Sequence, residues 1–234
     1  LTNFRGVHGP AIADHAMAML LALTRDMPGA AEAKREGTWA RDSSMQRVAL
    51  EGRTMLVVGL GGIGTEIAKR ASGFGMRVIA TRRGNDPAPS FVERVGKPSD
   101  LHAMLAQADV VAIAVPLTAE TEGMFDDKAF AAMRKGSYLI NIARGKVVVT
   151  DALMNALHDG TLAGAGLDVT DPEPLPPSHE LFSLPNCVIA PHVASATVGT
   201  RDAMATRCAD NLLAGLRGDP LPYPVNPGVT ALRK

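Results

Sequence analysis

The run Met55-Leu56-Val57-Val58 leads directly into Gly59-Leu60-Gly61-Gly62-Ile63-Gly64, which fits G-x-G-x-x-G at Gly59, Gly61 and Gly64. Between a strand and a helix, such glycines let backbone N–H groups and the helix dipole face a pyrophosphate. The competing reading is a glycine turn that only permits tight strand–helix packing. Folds that bind dinucleotides in this way place an acid at the end of the second strand, where it bonds the adenosine ribose 2′-hydroxyl. Here the second apolar run, 76–81, ends instead in Arg82-Arg83, 18 residues after Gly64. Two guanidiniums could clamp a 2′-phosphate, so NADP is the expected cofactor, with NAD as the second choice. The arginines could equally be solvated, with Asp86 serving the ribose. Farther along, Arg144, Glu173 and His192 follow predicted strands. An Arg can hold a carboxylate, an acid can orient an imidazole, and a His can move a proton near neutral pH. No pair of histidines has metal-ligand spacing, so no metal site is expected.

These groups need a scaffold that brings distant strand ends together. After residue 50 the pattern alternates: strands at 54–58, 76–81, 109–114, 137–142, 163–168 and 187–190, and helices at 62–73, 100–107, 126–134 and 151–158. The strands are apolar on both faces, as in a parallel sheet covered by helices on each side. The predicted fold class is therefore α/β, a doubly wound parallel sheet of the Rossmann type. Before the sheet, 11–27 reads as a largely buried helix closed by Pro28-Gly29, and 30–50, around Trp39, as a polar excursion. After it, 196–216 reads as a long helix. Asp126, Thr150 or Asp151, and Ser99 or Asp100 sit where helix caps belong.

Three segments together carry a family resemblance: Asn141-Ile142-Ala143-Arg144-Gly145, Gly166-Leu167-Asp168-Val169 through Glu173-Pro174, and Pro191-His192-Val193-Ala194. They resemble the D-isomer-specific 2-hydroxyacid dehydrogenases, and Ala13-Asp14-His15, Gly37-Thr38-Trp39 and 212–220 extend the likeness over nearly the whole chain. Within that family the Arg82-Arg83 pair looks most like the glyoxylate and hydroxypyruvate reductases. The resemblance implies hydride transfer between NAD(P)H and a small 2-oxo acid, giving a D-2-hydroxy acid. Arg144 would orient the carboxylate and polarise the carbonyl. His192 would be acid and base, and Glu173 would hold its tautomer and keep its protonated form available. It also implies that Asp168 helps place the nicotinamide, that Gly62 and Ile63 lie against the diphosphate, and that Val115 and Pro116 line the adenosine side. Ile142, Ala143 and Arg144, and His192 through Ala194 and Ser195, would approach the nicotinamide end. The implied division is a dinucleotide-binding domain at 18–195, with 1–17 and 196–234 as remnants of a substrate domain whose N-terminal part is missing. The excursion at 30–50 would pack on a twin subunit, predicting a homodimer.

Composition limits the alternatives. The 234 residues are 46% hydrophobic, enough for a packed core, and 24 basic residues balance 24 acidic ones. No global field favours nucleic acid or an anionic membrane. No apolar run approaches the ~20 residues of a membrane helix. Two cysteines, and no leader sequence, fit a reducing cytoplasm. Cys187 reads as a strand residue and Cys208 as part of an apolar helix stripe, both packing groups. His15 is a possible hydrogen-bonding group in the first helix, whereas His8, His102, His158 and His179 read as surface or loop. A dinucleotide sensor that recruits protein partners would need only the glycine turn, and a formate dehydrogenase would be expected to carry a Gln near the His. Retention of Arg144, Glu173 and His192 favours the hydroxy-acid enzyme over both.

Overall fold

The computed structural model describes residues 1–4, 6–39 and 46–225. Positions 40–45 of the expected excursion and 226–234 of the tail lie outside the described residues. Seven parallel strands form one sheet: β1 (Thr54–Val58), β2 (Arg77–Thr81), β3 (Arg94–Gly96), β4 (Val110–Ile113), β5 (Ser137–Asn141), β6 (Leu162–Leu167) and β7 (Cys187–Ile189), in the order β3-β2-β1-β4-β5-β6-β7. The order reverses between β1 and β4, which opens a crevice at their carboxyl ends, where doubly wound sheets bind ligands.

The two-residue period of the strands divides the core. Met55, Val57, Val110, Ala112, Tyr138 and Ile140 face α1 (Gly9–Thr24) and α3 (Gly62–Gly73), with Leu20, Leu23 and Ile67 as their partners. Leu56, Val58, Val111, Ile113 and Leu139 face α4 (Leu101–Leu105), α5 (Asp127–Ala132) and α6 (Thr150–His158), packing on Leu105, Phe130 and Leu153. Each fully buried Leu, Ile or Phe removed from water contributes about 1.5–3 kcal/mol. In β1, β4 and β5 every side chain is buried whichever way it points, which accounts for the unbroken hydrophobic runs.

The predicted strands and helices recur with shifts of one or two residues at most ends, and the exceptions have local causes. Pro28-Gly29 opens a helix rather than closing one. The first helix stops at Thr24, and Asp26 takes a left-handed conformation, φ 53°, from which its carboxylate accepts the Gly29 N–H at 3.3 Å. Pro28 then sits in the first turn of α2 (Met27–Arg35), where its missing N–H costs nothing. β3, three residues long and starting on the exposed Arg94, is too short and polar to show a strand pattern. Asp126 caps α5 through Ala129 N–H at 2.9 Å. Thr150 lies inside α6 and instead donates its hydroxyl to the Asp171 carbonyl at 2.6 Å. Cys208 does not pack: α7 (Val198–Arg217) buries only Thr200 and Asn211 and leaves that thiol exposed.

Candidate active site

The glycine turn is built by two close approaches. Gly59 has φ +100°, and a Cβ there would lie 2.8 Å from the Ala114 carbonyl oxygen; a Cβ on Gly64 would come within 2.0 Å of the Gly59 carbonyl oxygen. Only glycines let β1, β4 and the first turn of α3 converge. Gly61 and Gly62 have open space where a side chain would stand, and no side chain caps the start of α3. Its first backbone N–H groups therefore face a crevice and suit an anion.

Two hollows meet at this turn. One, of about 470 Å³, runs from Gly61 and Gly62 past Val115 and Pro116 to Arg82 and Arg83. The Arg82 guanidinium donates to the Asp86 carbonyl, while its Nε is buried with no partner. Glu120 shares this hollow and was not anticipated. Its carboxylate accepts the Thr118 hydroxyl at 2.6 Å, and that bond, with a backbone N–H and the charge of Arg83, holds it below the usual carboxylate range. The second hollow, of about 690 Å³, shares Gly61, Gly62, Val115 and Pro116 and extends over Ile63, Ile142 and Ala143 to Arg144. His8, read as surface or loop, lies in the bend before α1 and forms part of its wall.

The turn after β5 is held by a residue not singled out beforehand. Buried Asn141 accepts the Ala143 N–H at 3.0 Å and donates to the Arg144 carbonyl at 3.1 Å. Gly145 seats the turn on the neighbouring strand end, since a Cβ there would be 1.8 Å from the Thr170 carbonyl oxygen. Arg144 leaves this clamped turn exposed, with one guanidinium N–H donating to the Ala143 carbonyl at 2.5 Å. A buried amide at a strand end, just before a chemically active Arg, is the signal that could have found Asn141.

His192 and Glu173 meet as expected, Nδ1 to Oε1 at 2.7 Å, with 47% and 41% of their side chains exposed. Tying Nδ1 to the carboxylate leaves Nε2 for a reacting group. They share a hollow of about 510 Å³ with Asp168 and Thr170, and the contact of Gly145 with Thr170 joins this wall to the Arg144 turn. His192 is held at φ +55°, a costly conformation for a side chain with a Cβ. Asp168 supplies the restraint. Only 2% exposed, it accepts Val193 N–H at 2.8 Å and Ala194 N–H at 3.1 Å, and its carbonyl accepts His192 N–H at 2.9 Å. Asp168 thus clamps the His192 loop. Ala194 is buried behind that loop and Ser195 is half-buried beside it. His15 brings Nε2 to 3.4 Å from Asp168 Oδ1. Among the described residues no cluster of three or more metal-ligating side chains occurs, and no helix is long and apolar enough to cross a membrane.

Residues 17–194 match the family model described as D-isomer specific 2-hydroxyacid dehydrogenase, NAD binding domain. A glyoxylate reductase of Thermococcus kodakarensis is 42% identical over 240 residues, an alignment covering 100% of this chain and 72% of the relative. A solved NADPH-dependent glyoxylate/hydroxypyruvate reductase from Sinorhizobium meliloti, in complex with NADP and malonate, superposes with a TM-score of 0.87 at 36% identity, covering 100% of this chain and 72% of that one. A 2-hydroxyacid dehydrogenase from Ketogulonicigenium vulgare superposes with a TM-score of 0.85 at 33% identity, covering 96% and 70%.

Proposed function

From its membership of the D-isomer-specific 2-hydroxyacid dehydrogenase family, to which this chain belongs, we propose that it reduces a small 2-oxo acid of the glyoxylate or hydroxypyruvate kind to the D-2-hydroxy acid, drawing on NADPH in preference to NADH. The observation that carries the reading is the 2.7 Å His192–Glu173 pair: Glu173 follows β6, the neighbour of the β5 end that carries Arg144, and His192 follows β7, in the same sheet as the glycine turn. The dinucleotide fits this chain. Gly61 and Gly62 leave a cradle that any side chain would narrow, the first turn of α3 lacks a side-chain cap, and Arg82 keeps a buried Nε without a partner at the end where a 2′-phosphate would lie. Gly59, Gly61, Gly62, Ile63 and Gly64 would hold the diphosphate, Val115 and Pro116 the adenosine side, and Ile142 and Ala143 the nicotinamide side. When bound, the reduced nicotinamide supplies the hydride.

The chain's own groups do the rest. The Arg144 fork grips the oxo-acid carboxylate and draws electron density toward the carbonyl oxygen. His192 holds a proton on Nε2 and delivers it to that oxygen, and in the reverse direction Nε2 takes it back. Glu173 keeps Nδ1 protonated, so the ring presents Nε2 in one orientation. Asp168 serves the reaction by holding the backbone that carries the imidazole. We further propose that 18–195 works as the dinucleotide-binding domain, that two copies associate through 30–50, and that the protein works in the cytoplasm. The fork of the proposed mechanism is tested by following reduced-nicotinamide absorbance with glyoxylate, hydroxypyruvate and pyruvate in wild type and Arg144→Ala. NADPH consumption that the variant loses is expected; equal consumption by both would overturn the role of Arg144.

A further inference from the structure

The structure carries a second histidine, from the opposite side of the sheet, to the loop that holds His192. Helix α1 lies against β6 in a matched ladder. A Cβ on Gly164 would lie 3.0 Å from Leu23 Cδ2, and one on Gly166 would lie 2.9 Å from Met19 Cβ, so the two glycines let the helix settle onto the strand. Four helix residues rise about 6 Å and two strand residues about 6.6 Å, so the next rung after Leu23–Gly164 and Met19–Gly166 is His15–Asp168. At that rung the imidazole Nε2 is buried 3.4 Å from Oδ1, within reach of that carboxylate, and makes no hydrogen bond to any other group. Asp168, itself buried, spends the same Oδ1 on Val193 N–H and its Oδ2 on Ala194 N–H, the two residues that follow the left-handed His192.

We propose that His15 is a positioning residue for the reduction: its Nε2–H completes the shell of the Asp168 carboxylate and thereby fixes the 192–194 backbone that presents the catalytic imidazole. A buried carboxylate that lacks one of its donors turns toward another, and here the alternatives are the loop amides or water. Loss of the His15 proton donor therefore loosens the loop without touching substrate, cofactor or His192. The consequence for turnover rests on the function proposed above; the consequence for the loop does not.

The test compares wild type, His15→Leu and His15→Gln. The glutamine amide can replace the Nε2–H donor. In the cofactor-free protein, amide hydrogen exchange at Val193 and Ala194 is read by NMR; with NADPH and glyoxylate, kcat and KM are read separately. His15→Leu is expected to exchange these two amides about tenfold faster and to lose about tenfold in kcat, the effect of one charge-assisted bond, with KM for glyoxylate within about twofold. His15→Gln restores most of both. In an Asp168→Asn background, His15→Leu has little further effect, because the acceptor it serves has changed. Unchanged exchange in His15→Leu, faster exchange with unaltered kcat, or a glutamine variant no better than leucine overturns the proposal. If His15→Leu does not fold, wild-type exchange rates in His15→Gln support it and raised rates overturn it. A wild type that consumes no NADPH with any oxo acid overturns the proposed reaction instead, while the exchange measurement still decides the role of His15.

Discussion

At the scale of single residues, the site is an arrangement of groups whose partners divide the work. The Glu173 carboxylate pairs with the imidazole, so Glu173→Gln is expected to leave NADPH affinity intact while lowering kcat about 10²-fold, at the low end of acid–base contributions; steady-state kinetics beside a fluorescence titration of NADPH checks both halves. Arg82 is the arginine with a buried Nε that lacks a partner. Arg82→Ala should cost about tenfold or more in kcat/KM for NADPH, the worth of one charge-assisted bond, and change NADH little. An equal loss for both cofactors would count against a 2′-phosphate contact. That Glu173 would meet His192 could be expected from the three segments that together carry the family resemblance, since no one of these residue types is telling alone. Asn141 and His15 were harder to find, since their roles depend on which turn or neighbouring strand they reach.

Elements succeed or fail here by how closely they approach one another. Gly166→Ala would set a methyl against Met19, and overpacking of this kind costs about 1–3 kcal/mol, so Tm should fall and a variant as stable as wild type would mean that α1 does not rest on β6 as described. Burial in the β7 region pushes the Cys187 thiol up to about 12, from an ordinary value near 9. The folded thiol therefore resists ionisation, and the stability this represents is complete below about pH 9 and is lost as pH rises toward 12. Cys208, exposed on α7, should react with a thiol reagent at mildly alkaline pH, and the half-buried Cys187 far more slowly; two equally fast thiols in the native protein would contradict this placement. The beat of strands and helices could be read from hydrophobic runs because both sheet faces are covered. What escaped that reading was set by short-range chemistry. Asp26 reopened the chain as a helix before Pro28, and β3 joins the sheet edge by backbone pairing with β2, which side-chain pattern does not report.

In the whole molecule, the parallel order and its reversal between β1 and β4 gather groups more than a hundred residues apart in sequence along one end of the sheet. The α2 segment stands apart from that core: it buries no side chain, and Trp39 just beyond it is 90% exposed. An exposed aromatic at the tip of an unpacked helix fits the homodimer proposed above. Light scattering at micromolar concentration should give twice the chain mass, and a monomer would contradict it. On the proposed function, the glycine turn binds the dinucleotide and a separate imidazole, that of His192, transfers the proton. The most direct test is His192→Asn, assayed side by side for NADPH binding and for glyoxylate reduction. An NADPH Kd within about twofold of wild type is expected, with turnover lower by about 10²–10⁴-fold. A variant that reduces glyoxylate as fast as wild type would contradict it.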